Sequence, residues 1–361
     1  MDEALRGWAR VSLDLMRESV RSSRAIMLYD HLPDGIVSAA IIREILERWG
    51  VEVKSIPVMS EEILPTVENN LDQGASLVLV GIAPTGPGPL SVAKEIYASV
   101  VLIDDFVSDH LDRSGVVRIK SEFPLPLAAY YLGLEESEEL GDFCWLVASV
   151  VRGGSADRVA QESAIRWPYL FAAEYGAENF AKVERNLLLS TFEYPLGPSV
   201  AMRAVLDNFD DPSYFLERGS LLSSLIRSLK LEDRGERIFK ALQSPSRREG
   251  FLFWRTEMGW ERRALAYLSR LMYTNLSVVV SEEKPLAFVT ASAGQDMNVH
   301  GLMSMASEGI ESSLCGRENF VDVLLRSEDL EILLNRVAEM HQKDFRFPPL
   351  RRDELEGDEP P

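Results

Sequence analysis

The feature that most constrains the fold is an alternation, within the first hundred residues, of short apolar runs with segments of helical periodicity. The apolar runs, which we predict to be strands, cover 25–29, 51–58, 76–82 and 99–103. Apolar residues at helical spacing fill the segments 36–49, 61–73 and 90–98. Strands that alternate with helices predict right-handed crossovers and a mainly parallel sheet, with any binding site at the carboxyl ends of the strands.

The rest of the chain predicts two further regions. Beyond Phe123 the pattern is helical to about residue 240, and strand patterns return from Gly250. A chain of 361 residues, 46% of them hydrophobic, is long enough for two cores. The sequence thus predicts an α/β protein with a mainly parallel first domain, a helical connector and a smaller α/β domain. The predicted bounds are 1–200, 201–244, 245–345 and, for a disordered acidic tail, 346–361.

Membrane and secretory signals are absent from the sequence. No run approaches the roughly 20 apolar residues that a membrane helix needs. The amino terminus carries Asp2, Glu3 and Arg6 where a secretory segment would be apolar. We therefore expect a soluble cytoplasmic protein with no membrane partner.

The charge is strongly negative and unevenly distributed. The net charge is −19, which argues against a general nucleic-acid coat, because phosphate binding relies on Lys and Arg. Between Arg218 and Arg270, however, 12 Lys or Arg stand against 6 Asp or Glu, a local net of +6. Any contact with nucleic acid is expected to be local.

Aromatic residues interleave with arginines inside this basic stretch. Basic side chains beside stacking rings suit single-stranded nucleic acid. Alternatively, the aromatic residues fill the second core while the arginines cover one solvated face. The candidates for nucleic-acid contact are Arg247, Arg248, Trp254, Arg255, Arg262 and Arg263.

The loop after the first predicted strand resembles the first motif of RecJ-like Asp-His-His (DHH) phosphoesterases. In that family the loop reads Asp-x-Asp-x-Asp-Gly between a strand and a helix. This sequence keeps Asp30, Asp34 and Gly35 and has Leu32 at the middle carboxylate. Alternatively, Asp34 is a turn or helix-cap residue beside the glycine.

The following family motifs are present in order but have lost most of their ligands. Gly81 stands where the second motif has its aspartate, and residues 152–154 lack the carboxylate of the fourth. The Asp-His-His motif corresponds to Asp104, Asp105 and Phe106, so that only the aspartate is retained.

The carboxy-terminal half resembles the DHH-associated domain. A serine-containing strand at 290–293 precedes a helix start at 297–303, as in that family. The family's Gly-Gly-Gly-His loop, which holds the substrate's phosphate, corresponds to 313–319, where only Gly316 remains. The resemblance covers most of residues 24–345 in order and spacing.

The resemblance implies a chemistry that this chain is not equipped to perform. Two-metal hydrolysis needs carboxylates and imidazoles to hold two cations roughly 3.5 to 4 Å apart. Leu, Gly and Phe supply neither charge nor lone pairs, so we expect no catalytic residue, no metal and no cofactor. The vestigial metal candidates are Asp30, Asp34, Asp104 and Asp105.

Three functions follow as hypotheses. RecJ-like proteins that have lost these motifs resemble the archaeal counterparts of cell-division-cycle protein forty-five. That resemblance implies a pseudoenzyme that binds the GINS complex and the MCM helicase in the replicative helicase assembly, near the nucleoid, with single-stranded DNA as a further candidate partner. The alternative is an active single-strand exonuclease or oligonucleotide phosphoesterase with a reduced Mg²⁺ or Mn²⁺ site. The third hypothesis is a ligand-sensing regulator that uses the old nucleotide cleft.

Overall fold

The computed structural model describes residues 2–84, 86, 88–107, 109–112, 114–151, 154–217, 219–248, 250–273, 275–294 and 297–342. The chain divides into two compact units, Met1–Arg237 and Ile238–Pro361. The division falls inside the segment 201–244, and the domain bounds given above stay a prediction. The tail at 346–361 lies outside the described residues.

The first unit is built on a five-stranded parallel sheet. Its strands are β1 (Arg24–Asp30), β2 (Glu52–Val58), β3 (Ser76–Val80), β4 (Ser99–Asp104) and β5 (Val117–Lys120). Their order in the sheet is β2-β1-β3-β4-β5. β3 is buried along its whole length, as its run of apolar residues predicts for a strand covered on both faces.

Helices connect and cover these strands. Twelve of the sixteen residues in the helix that follows β1 are buried, and this helix packs against the helices that begin at Leu125 and Leu196. The helices are α1 (Asp2–Ser19), α2 (Pro33–Arg48), α3 (Ile63–Asn69), α4 (Gly88–Ile96), α5 (Asp109–Asp112), α6 (Leu125–Glu136), α7 (Cys144–Val150), α8 (Gly154–Arg166), α9 (Pro168–Phe171), α10 (Gly176–Thr191), α11 (Leu196–Leu206), α12 (Pro212–Leu216), α13 (Leu221–Ser228) and α14 (Leu231–Gln243). Short 3₁₀ helices occupy Ser60–Glu62 and Glu138–Phe143.

The second unit contains a six-stranded sheet. Its strands are β6 (Ser246–Arg248), β7 (Phe251–Thr256), β8 (Ser277–Glu283), β9 (Leu286–Ser292), β10 (Ser312–Arg317) and β11 (Phe320–Arg326). Their order in the sheet is β10-β11-β9-β8-β7-β6. Neighbouring strands are antiparallel except for β7 and β8, which are parallel.

The two faces of this second sheet differ in chemistry. Three helices pack on it, α15 (Gly259–Met272), α16 (Val299–Ala306) and α17 (Leu330–Gln342), and a 3₁₀ turn lies at Ser327–Asp329. The face that includes Val278, Val289 and Val323 forms an apolar core with α16 and α17. The opposite face carries polar residues such as Ser281 and Thr290 and is covered by α15.

The architecture confirms the predicted α/β class with a mainly parallel first sheet. The four strands expected in the first hundred residues are present, whereas β5, β6 and β10 had no clear pattern and were not predicted. Within the described ranges, every helix is too short or too polar to span a membrane.

Candidate functional site

Two sequence motifs of the first unit meet at the carboxyl edge of its parallel sheet. β1 and β3 are neighbours in the sheet, and the chain runs from β1 to β2 at one edge and from β3 to β4 toward the other. Ligands of open α/β sheets bind at such a point, where the strand order reverses. A Cβ atom built on Gly81, just after β3, would lie 3.9 Å from the Gly35 Cα and 4.0 Å from the Asp30 Cβ. The segments after β1 and β3 are therefore adjacent in space.

The loop between β1 and α2 uses its carboxylates to hold its own backbone. Asp30 accepts a hydrogen bond from the Leu32 N–H at 3.3 Å, and Asp34 accepts one from the Gly35 N–H at 3.1 Å. Both aspartates are buried. Gly35 is required here because a Cβ would lie 2.3 Å from the Asp30 carbonyl oxygen. The structure thus places Asp34 in the first turn of α2, and its role as a turn residue or as a metal ligand stays a prediction.

His31 lies in the same loop and is fully buried. Its Nδ1 is 3.3 Å from the Asp30 Oδ1, and its ring packs edge-on against Tyr194, with 5.3 Å between ring centroids. The Tyr194 hydroxyl donates to Glu62, and its oxygen also lies 3.2 Å from the Pro57 carbonyl oxygen. Burial, followed by the hydrogen bond to Glu62, raises the pKa of Tyr194 above its ordinary value. The Tyr194 ring therefore packs against His31, while its hydroxyl is held by Glu62.

Asp104, at the end of β4, is fully buried and is bound by an arginine of β5. Arg118 donates from Nη2 to Oδ1 at 2.6 Å and from Nε to Oδ2 at 3.0 Å. This is the bidentate geometry of a strong arginine–carboxylate pair. The Phe106 N–H also donates to Oδ1, at 2.8 Å. Both carboxylate oxygens of Asp104 are engaged within the protein.

The two residues after Asp104 serve the backbone and the core. Asp105 accepts a hydrogen bond from the Leu125 N–H at 3.1 Å, so it caps the start of α6. Phe106 is buried. The Leu125 side chain would be 2.7 Å from a Cβ on Gly81, so it fills the space beside the second motif. A leucine thus closes the place at which the family motif has an aspartate.

The side chains present do not fit a two-metal centre. Leu32, Gly81 and Phe106 offer no side-chain ligand atom, and the carboxylates of Asp104 and Asp105 point into protein contacts. Across the described ranges, no group of three or more His, Cys, Asp or Glu residues could hold a metal ion. Residues 152 and 153, which belong to the fourth motif, lie outside those ranges.

Arg118 is the site residue that the sequence did not reveal. It lies on β5, a four-residue strand whose sequence, Val117–Lys120, alternates too briefly to predict a strand. The only signal in the sequence was Asp104 itself. A carboxylate at the end of an apolar strand is expected to be buried, and a buried carboxylate needs a cation nearby.

In the second unit, the segment that corresponds to the family's phosphate loop forms β10 and the turn into β11. Gly316 is required by close packing, because a Cβ would lie 2.3 Å from the Phe320 carbonyl oxygen. The start of α16 is capped by Asn298, which accepts from the Gly301 N–H at 2.6 Å, and the His300 N–H donates to the Glu318 carbonyl at 2.9 Å. The chain's own oxygens therefore occupy this helix start.

Three of the six candidates for nucleic-acid contact are buried, which corrects that part of the prediction. Trp254 donates from Nε1 to the Ala241 carbonyl at 3.0 Å. Arg262 donates to Thr290 and Ser281, at 2.9 and 2.7 Å, and Arg263 pairs with Asp322. Arg262 and Arg263 fix α15 to the polar face of the sheet, and Trp254 joins β7 to α14. The three side chains are therefore not available to a nucleic acid in this structure.

The other three candidates remain at or near the surface. Arg248 and Arg255 both contact Glu331 of α17, with N–O distances of 2.6 and 3.2 Å. Arg255 also pairs with Glu282 at 3.0 Å, whereas Arg247 is exposed on β6. The carboxylates of Glu331 and Glu282 offset much of the positive charge that the sequence suggested.

Comparison with known proteins supports the fold. No family model and no curated sequence matches the chain. Among solved structures, the DHH domain of a member of the s1p family of ribosomal proteins aligns with a TM-score of 0.59 and 12% identity, covering 93% of this chain and 91% of that one. The Mn²⁺ complex of RecJ from Thermus thermophilus aligns with a TM-score of 0.54 and 14% identity.

That alignment covers 94% of this chain but only 55% of the Thermus RecJ, so the chain spans about half the length of that protein. CDC45 from Entamoeba histolytica aligns over 94% of this chain and 97% of that one, with 10% identity and a TM-score of 0.42. The chain therefore has the fold of RecJ and DHH-domain proteins.

Proposed function

We propose that this chain is a catalytically inactive, RecJ-like binding subunit of an archaeal replicative helicase assembly that contains GINS and MCM. The observation that carries this proposal is the replacement of metal ligands by Leu32, Gly81 and Phe106 on a fold that is otherwise retained. A scaffold kept without its ligands is best explained by a role in binding. Such a subunit needs no cofactor and would work in the cytoplasm, beside the nucleoid.

The charge distribution supports a protein partner over a nucleic-acid coat. A net charge of −19 repels phosphates at long range, and the buried or ion-paired arginines of the second unit leave little free positive charge. Single-stranded DNA is then a secondary partner, reached through local contacts within an assembly.

The catalytic half of the proposal is tested by nuclease assays on single-stranded DNA, RNA and short oligonucleotides with Mg²⁺ or Mn²⁺. We expect no turnover above a buffer control. Turnover that Asp34→Ala abolishes would contradict the proposal and support the alternative, an active phosphoesterase with a reduced metal site.

The binding half is tested by co-purification and size-exclusion chromatography with recombinant GINS subunits, and then with MCM. A stable complex is expected for the wild type and for Asp34→Ala, because binding relies on surface shape and not on metal chemistry. The absence of any complex at micromolar concentrations of both proteins would count against the assignment.

A further inference from the structure

The contacts of Arg118 resemble the surroundings of a bound cation. Besides its two bonds to Asp104, the guanidinium donates to the Phe106 carbonyl at 2.7 Å and pairs with Asp112. Carboxylate and backbone carbonyl oxygens are the ligands that hard divalent cations take in proteins. A set of oxygen atoms suited to a cation is therefore present, and the guanidinium occupies it.

The burial of the group explains why a cation is needed. Asp104 is 0% exposed, and the Arg118 side chain is 7% exposed. A buried carboxylate without an opposite charge is strongly unfavourable. An arginine remains protonated at any accessible pH, so it neutralises Asp104 permanently.

The same contacts join separate parts of the sheet edge. Arg118 belongs to β5, Asp104 ends β4, Phe106 lies in the segment that follows, and Asp112 ends α5. β5 is the edge strand and pairs only with β4 among the described strands. One guanidinium thus fixes an edge strand and the connection that leads to it.

We infer that Arg118 is a built-in cation that does the structural work of a bound metal ion at this edge, making the first unit independent of divalent metal. The inference concerns folding and metal response, so it stands apart from the proposed partners. It predicts that removing the guanidinium exposes an oxygen site that can accept Mn²⁺.

The test compares full-length wild type with Arg118→Met, after treatment with EDTA, by thermal unfolding and by isothermal titration with MnCl₂. The Tm of the wild type should not change with millimolar Mn²⁺. The Tm of Arg118→Met should fall by roughly 5 to 15 °C and recover by about 3 °C or more when Mn²⁺ is added. Arg24→Met is the matched control, because its pair with Asp72 is half exposed and should change neither the Tm nor the metal response appreciably.

A second variant keeps the inference testable if Arg118→Met does not fold. Asp104→Asn/Arg118→Met removes both charges, so it should fold, with a Tm above that of either single variant and no response to Mn²⁺. Stabilisation of the wild type by Mn²⁺ would overturn the inference. So would an Arg118→Met protein that folds and binds no Mn²⁺, or a double variant that Mn²⁺ stabilises.

Discussion

Both units bury an arginine against an aspartate, but the two settings differ. Arg118 meets Asp104 at the edge of a parallel sheet, where strands end and backbone carbonyls are available. Arg263 meets Asp322 on the face of the second sheet, beneath α15, where a threonine hydroxyl also donates to the carboxylate at 2.6 Å. The first arrangement stands at the position of a binding site, and the second fastens a helix to a sheet.

The difference shows that the structural role of a buried ion pair depends on its position in the fold and not on the two residue types. At the carboxyl edge, Asp112 shares the guanidinium and is 52% exposed, so water reaches part of the network. The two pairs themselves are equally buried: the side chains of Arg118 and Asp104 are 7% and 0% exposed, and those of Arg263 and Asp322 are 4% and 10% exposed. Because Arg118 keeps the partly exposed carboxylate of Asp112 when Asp104 is lost, removing the buried aspartate should cost more free energy in the second unit.

The largest effect is expected for Asp322→Asn. Removing one partner of a buried ion pair typically costs about 3 to 5 kcal/mol, because the other charge stays buried. Urea unfolding followed by circular dichroism measures the loss. Glu311→Gln is the control, since its pair with Arg326 is exposed and should contribute less than about 1 kcal/mol. Equal, small losses of unfolding free energy for both variants would show that the buried Arg263–Asp322 pair stabilises the protein no more than an exposed pair does.

Asp104→Asn should cost less, roughly 1.5 to 3 kcal/mol, the range for hydrogen bonds to charged groups. Asp112 and the Phe106 carbonyl still receive the Arg118 guanidinium, so the remaining charge keeps partners. The same unfolding experiment, with Asp72→Asn as the exposed control, gives the value. A loss larger than that of Asp322→Asn would reverse the comparison between the two units.

Much of the first unit could be predicted from its sequence because its strands are continuous apolar runs and its motifs follow strand ends. Asp30, Gly81 and Asp104 were correctly assigned to the carboxyl edge for that reason. The counterion of Asp104 was not predicted, because Arg118 lies on an edge strand that gives no periodic signal. A side chain's partner depends on strand order, which the local sequence does not contain.

The second unit was harder to predict because a helix that packs on a polar sheet face has a sequence pattern similar to that of a solvent-exposed helix. Arg262 and Arg263 read as surface cations, yet their partners Ser281, Thr290 and Asp322 come from three different strands. Only the pairing of β8, β9 and β11 reveals that these polar residues share one face. Sequence spacing within α15 could not distinguish a buried arginine from an exposed one.

A smaller effect is expected for Trp254→Phe, which separates packing from nucleic-acid stacking. The change removes the indole N–H bond to the Ala241 carbonyl and should cost about 1 kcal/mol. Affinity for a labelled single-stranded oligonucleotide, measured by fluorescence anisotropy at two salt concentrations, should not change. Arg247→Glu is the companion variant: it should not alter stability, and it should weaken any salt-dependent binding. Lost affinity in a fully stable Trp254→Phe protein would restore this residue to the nucleic-acid surface.

The smallest effect concerns Glu331, the surface carboxylate that binds two arginines of the second unit. The hydrogen bond from Arg248, with a smaller contribution from the nearby charge of Arg255, lowers the pKa of Glu331 below its ordinary value of 4.5. A carboxyl group whose pKa is lower in the folded state stabilises the protein fully above the unfolded value, and this contribution is lost as the pH falls through the folded one.

Because the Glu331 side chain is 56% exposed, solvent screening limits the contribution to less than about 1 kcal/mol. Glu331→Gln should therefore be slightly less stable than the wild type at pH 7, and the two proteins should become equal in stability well below pH 4.5. Urea unfolding at several pH values measures this convergence, with Glu328→Gln, whose ion pair is longer and more exposed, as the control. A difference that persisted or grew at low pH would mean that Glu331 acts through packing and not through its charge, and that the surface arginines are held by something other than this carboxylate.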